Sequence, residues 1–348
     1  MAEAPARQFP LVQALRALAA LSVALTHILH DALRQTASSE PVRSIYHALP
    51  WDAGVDIFFV ISGFVIVHSS DRLFATRGAG RRFAARRVAR ITPLYWTMTS
   101  LLLAEAFFDP TAIHGPIGGA TYIAKSYLFI PCARPDGVIQ PVLGLGWTLN
   151  YEMFFYAIFI PFLVFRRPVA VFGASFLLGL FVLAGRAGWL HGVVLRTWSD
   201  PIVLEFCAGM LLALITGKFT LHDGWRLAIL LAAAAMLLLQ PAWSRVFAYG
   251  LPAMGLVFAA VIGKNMRHLP RIEIWLVRLG DASYAMYLVH PFIMRAGLLM
   301  WKHLHPPGAE FTYIVLSLVT AQAAALAIHY GFEKSITRRL RAVLEPPM

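Results

Sequence analysis

FPLVQALRALAALSVALTHILH, residues Phe9 to His30, is an apolar run that carries two ionisable side chains, Arg16 and His27. Its length suits a membrane-spanning helix, which needs roughly 17–25 residues. At about 100° per residue, the step from Arg16 to His27 is close to three whole turns, so both side chains share one face. At about 1.5 Å per residue they stand roughly 16 Å apart along the axis. An Arg in mid-membrane costs at least about 2.5–3.5 kcal/mol on insertion scales, so it faces a protein interior or a wet cavity. The other reading of the helix taken alone is that Arg16 snorkels to the near interface while His27 sits at the far one. The stretch lacks a small-residue cleavage site and reads as a retained helix, not a signal peptide.

Working outward, the rest of the chain is equally apolar. Of 348 residues, 59% are hydrophobic and 14% charged. Soluble domains average about 45–50% and 25%, so the composition is that of an integral membrane protein. The fold class expected is all-α: a polytopic membrane helix bundle of about ten transmembrane helices. The spans fall near 10–30, 53–69, 91–108, 147–165, 168–185, 201–216, 226–240, 247–263, 281–301 and 311–332. Basic residues orient them. With both termini cytoplasmic, inner segments carry 20 Lys and Arg and outer segments 8, with Arg16 and Arg295 inside spans. The net charge of +12 is therefore distributed as membrane topology requires and argues for no nucleic acid. The chain reads as one membrane domain, 1–348, with spans over about 10–334 and no appended soluble domain. Cys132 and Cys207 make no metal framework, and no metal site is expected.

Four further stretches carry polar groups. Span two, WDAGVDIFFVISGFVIVHSS, places Asp56 near its outer end, where it can meet His27 or solvent; Gly63 midway permits close helix packing. The inner loop after it holds seven Arg between residues 71 and 90 and no Lys. If helical, Arg82, Arg86 and Arg90 form one ridge, with Arg87 beside it. Arg is the residue of planar phosphate recognition, so the ridge suits a phosphorylated cytoplasmic molecule; attraction to anionic headgroups is the other reading. Pro93 is expected in the first turn of span three. Span four opens WTLNYEMFFY at Trp147, and its Glu152 is an intramembrane acid, a candidate site residue or a structural partner for a buried cation such as Arg16. In span nine, Tyr284, Tyr287 and His290 recur every three residues along one side, with Pro291 expected to kink the helix.

These residues resemble the acyltransferase-3 family of membrane proteins that acylate sugars. The resemblance rests on Arg16 and His27, GVDIFFVISGF at 54–64, RRVARITPLY at 86–95, WTLNYEMFFY at 147–156 and SYAMYLVHP at 283–291, in that order along nearly the whole chain. It implies ten spans, acyl-CoA used at the cytoplasmic side as donor substrate without a permanently bound cofactor, and O-acylation of a carbohydrate. The family's essential Arg and His fall on Arg16 and His27, and its Arg-x-x-Arg on Arg87 and Arg90. Bacterial polysaccharide-modifying members are nearest in plan, which implies the inner (cytoplasmic) membrane.

The mechanism expected on that basis makes His27 a general base toward the acceptor hydroxyl, since imidazole alone titrates near neutral pH without a large shift. Asp56 or Glu152 would hold its tautomer. Arg82, Arg86, Arg87 and Arg90 would bind the CoA phosphates, and Arg16 would lie along the pantetheine path. Trp147, Tyr284, Tyr287 and His290 are expected to contact the acceptor, a surface or lipid-linked carbohydrate or another hydroxyl compound such as a macrolide. The acyl group expected is acetyl. An acyl-His intermediate is a second route. A transporter or flippase for an anionic metabolite is the competing class, since buried His, Arg and Glu suit it too.

Overall fold

The computed structural model describes residues 9–35, 40–109, 112–113, 115–239, 242–262, 272–304 and 310–345, without the side chains of residues 35, 272–273 and 301–304. Of the basic residues that orient the chain, Arg7, Lys264, Arg267 and Arg271 lie outside the described residues. Among the described residues there is no strand, only two isolated bridges. Helix is what such apolar runs require, because lipid offers backbone groups no partner.

In chain order the helices are α1 (Pro10–Gln35), α2 (Glu40–Ala48), α3 (Gly54–Ser69), α4 (Ala79–Phe108), α5 (Ala120–Tyr127), α6 (Trp147–Phe162), α7 (Arg167–Arg186), α8 (Gly192–Trp198), α9 (Leu204–Ile215), α10 (Asp223–Leu239), α11 (Leu251–Val261), α12 (Ile272–Asp281), α13 (Ser283–Leu304), α14 (Glu310–Ile328) and α15 (Lys334–Leu344). Four described helical ranges are long and apolar enough to cross a bilayer: Pro10–Arg34, Trp51–Ser69, Arg167–Arg186 and Glu310–Leu344. Gly192–Trp198 with Pro201–Ile215, bent by 42°, would make a fifth. On α7 the buried positions Ala170, Val171, Ala174, Leu178 and Val182 recur at helical spacing, while Phe172, Phe176 and Leu183 are exposed. A helix that is apolar on its outer face as well as its inner one suits lipid and not water.

The chain forms two compact units, Met1–Ile61 with Leu212–Phe332, and Ser62–Leu211 with Glu333–Met348. In the first unit α1 packs against α2, α12, α13 and α14. Its apolar face supplies Ile28, Leu29 and Ala32 to a core shared with Val42, Met294, Tyr313 and Ile314. Gly54 lets the start of α3 close on α1: a Cβ there would stand 2.5 Å from the Ala19 carbonyl oxygen.

In the second unit α4 packs against α6 and α15, and α6 against α7. Its core is aromatic, with Phe155 stacked on Phe206 at 4.5 Å between ring centroids and Phe83 edge-on to Tyr156 at 5.7 Å. Gly63 does permit close packing, since a Cβ there would meet the Phe206 carbonyl oxygen of α9 at 2.1 Å. Pro93 corrects an expectation. It sits inside α4, not in a first turn, because the arginine stretch and the apolar stretch form one continuous helix. Thr97 Oγ1 donates to the Pro93 carbonyl at 2.8 Å. The loop that follows is packed onto α4: Tyr95 OH donates to the Ser126 carbonyl (3.0 Å) and Trp96 Nε1 to the Tyr127 carbonyl (2.8 Å). Cys132 and Cys207 are both buried free thiols.

Candidate functional site

Within the first unit, α1 and α13 bring two histidines together. His27 Nδ1 lies 2.8 Å from the Val23 carbonyl oxygen one turn back on α1. His290 Nδ1 lies 3.1 Å from the Met286 carbonyl oxygen and also interacts with the Tyr287 carbonyl. Pro291, which has no N–H, leaves that Tyr287 carbonyl without its helical donor. A carbonyl can only accept, so each Nδ1 carries the proton, and in the neutral ring each Nε2 keeps a lone pair. His290 Nε2 then faces the His27 Nδ1–H at 3.4 Å, with the rings tilted 44° and their centroids 5.2 Å apart. The His27 Nε2 lone pair is left for other chemistry. His27 is half-buried and His290 fully buried.

Two expectations change here. His290, expected to meet an acceptor, has no exposed surface and meets His27 instead. Asp56, expected to hold the His27 tautomer, is fully buried and takes two hydrogen bonds from Arg245, Nε to Oδ1 at 3.1 Å and Nη2 to Oδ2 at 2.6 Å. Arg245 also reaches Asp52 Oδ2 at 3.6 Å and lies over the Tyr249 ring. The backbone of α1 thus does for His27 what a carboxylate was expected to do. Tyr287 is buried, its ring edge-on to Phe58 and to His290. Tyr284, one turn earlier on α13, is half-buried. Arg16 is half-buried, and its Nη1 donates to Gln13 Oε1 at 3.3 Å.

The second unit holds a different group. Glu152 Oε1 accepts from Ser62 Oγ at 3.1 Å and from Tyr156 OH in a very short bond. Glu152 and Tyr156 are electrostatic neighbours of Arg87, and so is Arg90. Arg87 Nη2 donates to Ser69 Oγ at 3.1 Å, and the guanidinium lies over the Phe83 ring, 5.5 Å from its centroid. Its Nε is buried with no hydrogen-bond partner among the described residues. That orphaned donor beside a second guanidinium fits an anionic oxygen ligand. Arg82 and Arg90 lie half-buried on the same helix. Arg86 is engaged otherwise, by Glu345 at the end of α15, with Nη2 to Oε1 at 2.5 Å. Burial raises the Glu345 carboxyl, but Arg86, and after it Arg341, hold it below its ordinary value. Trp147 opens α6 half-buried, edge-on to Tyr151.

Sequence reasoning missed three participants. Tyr156 was legible, since a phenol four residues after Glu152 shares its helix face. Arg245 and Glu345 left no signal, because their partners lie 189 and 259 positions away.

The protein-family model described as “Acyltransferase domain”, of acyltransferase type 3, matches residues 11–330. The exopolysaccharide production protein ExoZ of Rhizobium meliloti (strain 1021) is 33% identical over 304 residues, covering 83% of this chain and 90% of that protein. The acyltransferase MdmB of Streptomyces mycarofaciens is 28% identical over 352 residues, covering 92% of this chain and 86% of that protein. No solved structure matches significantly.

Proposed function

We propose, from the premise that this chain belongs to the acyltransferase-3 family and is an O-acyltransferase, that it moves an acetyl group from cytoplasmic acetyl-CoA to a hydroxyl of a surface or lipid-linked carbohydrate. The enzyme has about ten spans with both termini inside and works in the bacterial inner membrane. The name of the exopolysaccharide production relative supports a polysaccharide acceptor.

The observation that carries the reading is the approach of His27 Nδ1 to the Val23 carbonyl oxygen, which assigns the proton to Nδ1. With Nδ1–H given to the Val23 carbonyl at 2.8 Å, Nε2 is a base ready to take a proton. A sugar hydroxyl is a weak nucleophile near neutral pH, and a thioester carbonyl is activated but still needs attack by something close to an alkoxide. His27 Nε2 accepts the hydroxyl proton as the C–O bond forms, then returns it to the departing CoA thiolate. Arg87 and Arg90 hold CoA phosphate oxygens, and Arg82 and Arg86 extend that ridge. Glu152, with Ser62 and Tyr156 on one oxygen, fixes the charge beside Arg87. Arg16 lies along the pantetheine path. Trp147, Tyr284 and Tyr287 border the acceptor.

The test is transfer of label from radiolabelled acetyl-CoA to the membrane glycan fraction by the purified protein. The reading expects free CoA to be released in step with glycan labelling. A transporter would release no free CoA, and that outcome would remove the enzyme mechanism. Full activity in His27→Ala would remove the base assignment alone.

A further inference from the structure

His27 and His290 stand 263 positions apart in sequence, yet their facing nitrogens are 3.4 Å apart. We propose that His290 is a positioning residue for His27: its buried Nε2 lone pair accepts from the His27 Nδ1–H, holding the ring so that Nε2 faces the acceptor and stabilising the imidazolium formed during transfer. This rests on the reading of His27 as the base.

The arrangement is a one-way chain of donors. The Met286 carbonyl accepts from the His290 Nδ1–H at 3.1 Å, which leaves Nε2 of the neutral ring able only to accept. The His27 Nδ1–H is then shared between the Val23 carbonyl at 2.8 Å and His290 Nε2 at 3.4 Å. Both bonds become charge-assisted once Nε2 is protonated, and charge-assisted bonds are roughly twice as strong. The proton balance is simple. The hydroxyl proton goes to His27 Nε2, the acyl–sulfur bond breaks as the acyl–oxygen bond forms, and Nε2 gives the proton to the thiolate. His290 neither gains nor loses a proton. A fully buried, neutral acceptor does this without the desolvation that a second carboxylate would suffer.

The other charged or titratable groups around His27 are few. On α1 these are Asp31 and His30, and from the turn at Trp51–Ala53 comes Asp52. From α13 comes Tyr287 against His290. Further out, α2 presents Tyr46 to His30, and α14 presents Tyr313 to Asp31.

The test uses the full-length protein in detergent, with acetyl-CoA and the membrane glycan fraction, and compares His290→Phe with His290→Gln. His290→Phe keeps a flat ring but loses the acceptor. It should lower kcat by about ten- to a hundredfold, the loss of one charge-assisted bond in the transition state, and leave KM for acetyl-CoA unchanged. The acid limb of the kcat profile should move to lower pH, because the imidazolium has lost a stabilising acceptor. His290→Gln, whose amide oxygen can accept, should recover part of both. Unchanged kcat and acid limb in His290→Phe overturn the proposal. If neither variant folds, ¹⁵N-histidine NMR of the unsubstituted protein decides: a bare His290 Nε2 beside a protonated His27 Nδ1 supports the proposal and a protonated His290 Nε2 overturns it. Full activity in His27→Ala would instead bring down the base reading, so the two failures are distinguishable.

Discussion

The two polar groups of this protein handle charge in opposite ways. Around His27 and His290 the partners are backbone carbonyls and lone pairs, and no cation is needed to hold the rings. Around Glu152 and Arg87 the partners are ions, trimmed by hydroxyls of Ser62, Ser69 and Tyr156. The difference follows from task. A group that must gain and lose a proton is best kept neutral and oriented, since a fixed neighbouring charge would pin it in one state. A group that must grip an anion is best kept permanently charged, and Arg alone is always so. On the proposed reading the histidine cluster serves chemistry and the arginine cluster binding.

The sharpest way to break that division is to remove one member of each. His27→Ala should lower kcat by about 10²–10⁴-fold, the usual contribution of a positioned base, with little change in KM for acetyl-CoA. Arg87→Ala with Arg90→Ala should do the reverse. It should raise that KM by about 10- to 100-fold, with a smaller fall in kcat, as expected when charge-assisted phosphate contacts are lost from ground and transition states alike. Steady-state kinetics on both variants reads the split. A fall in kcat from the arginines larger than their rise in KM, or a KM effect from the histidine as large as its kcat effect, would dissolve the contrast.

The parts of this picture legible in the sequence are those governed by local rules. Helical spacing put Arg16 and His27 on one face and strung Arg82, Arg86 and Arg90 along one ridge, and the structure has helices at both places. Membership of the family was legible too, because its motifs are short and ordered. Pairings across the chain were not legible. The sequence lets Asp56 meet either His27 or solvent; its actual partner, Arg245, is 189 positions on, beside the π turn Val246–Gly250, where the sequence shows only an ordinary basic loop residue. The spacing of His290 from Tyr287 is local and points to one polar strip along α13, hence to an acceptor. Its contact with His27 depends on how α13 packs on α1, which spacing alone does not reveal.

The Asp56–Arg245 pair sharpens the comparison from the side of stability, since it is an ion pair in the same unit as the neutral histidines. Its two halves are unequal: Asp56 has no exposed surface, whereas the Arg245 side chain keeps 36%. Arg245→Ala takes the facing cation from a buried carboxylate and should cost roughly 3–5 kcal/mol. Asp56→Ala should cost less, because Arg245 retains Asp52 and access to water. Thermal unfolding of the detergent-solubilised variants orders them. If instead Asp56→Ala were silent in stability but cost activity as heavily as His27→Ala, Asp56 would belong with the base and the distinction drawn here would fail.

The smallest effect concerns Arg86, a ridge arginine held by a carboxylate at the far end of the chain. The Glu345 carboxyl lies lower when folded than its ordinary value of 4.5, because Arg86 and Arg341 outweigh its burial. A carboxyl lowered by folding contributes its full stabilisation above that ordinary value and loses it as pH falls through the lower folded one. The hold of α15 on α4 should therefore be complete at neutral pH and weaken only below about pH 4.5, by about 1 kcal/mol or less for a pair this close to solvent. Hydrogen exchange at α15 should show that acid loosening, and Glu345→Gln should show it already at pH 7. The same variant frees the Arg86 guanidinium, so it should tighten acetyl-CoA binding slightly if Arg86 belongs to the phosphate ridge. An unchanged KM in Glu345→Gln would confine the ridge to Arg82, Arg87 and Arg90 and leave Arg86 as the anchor of the C-terminal helix.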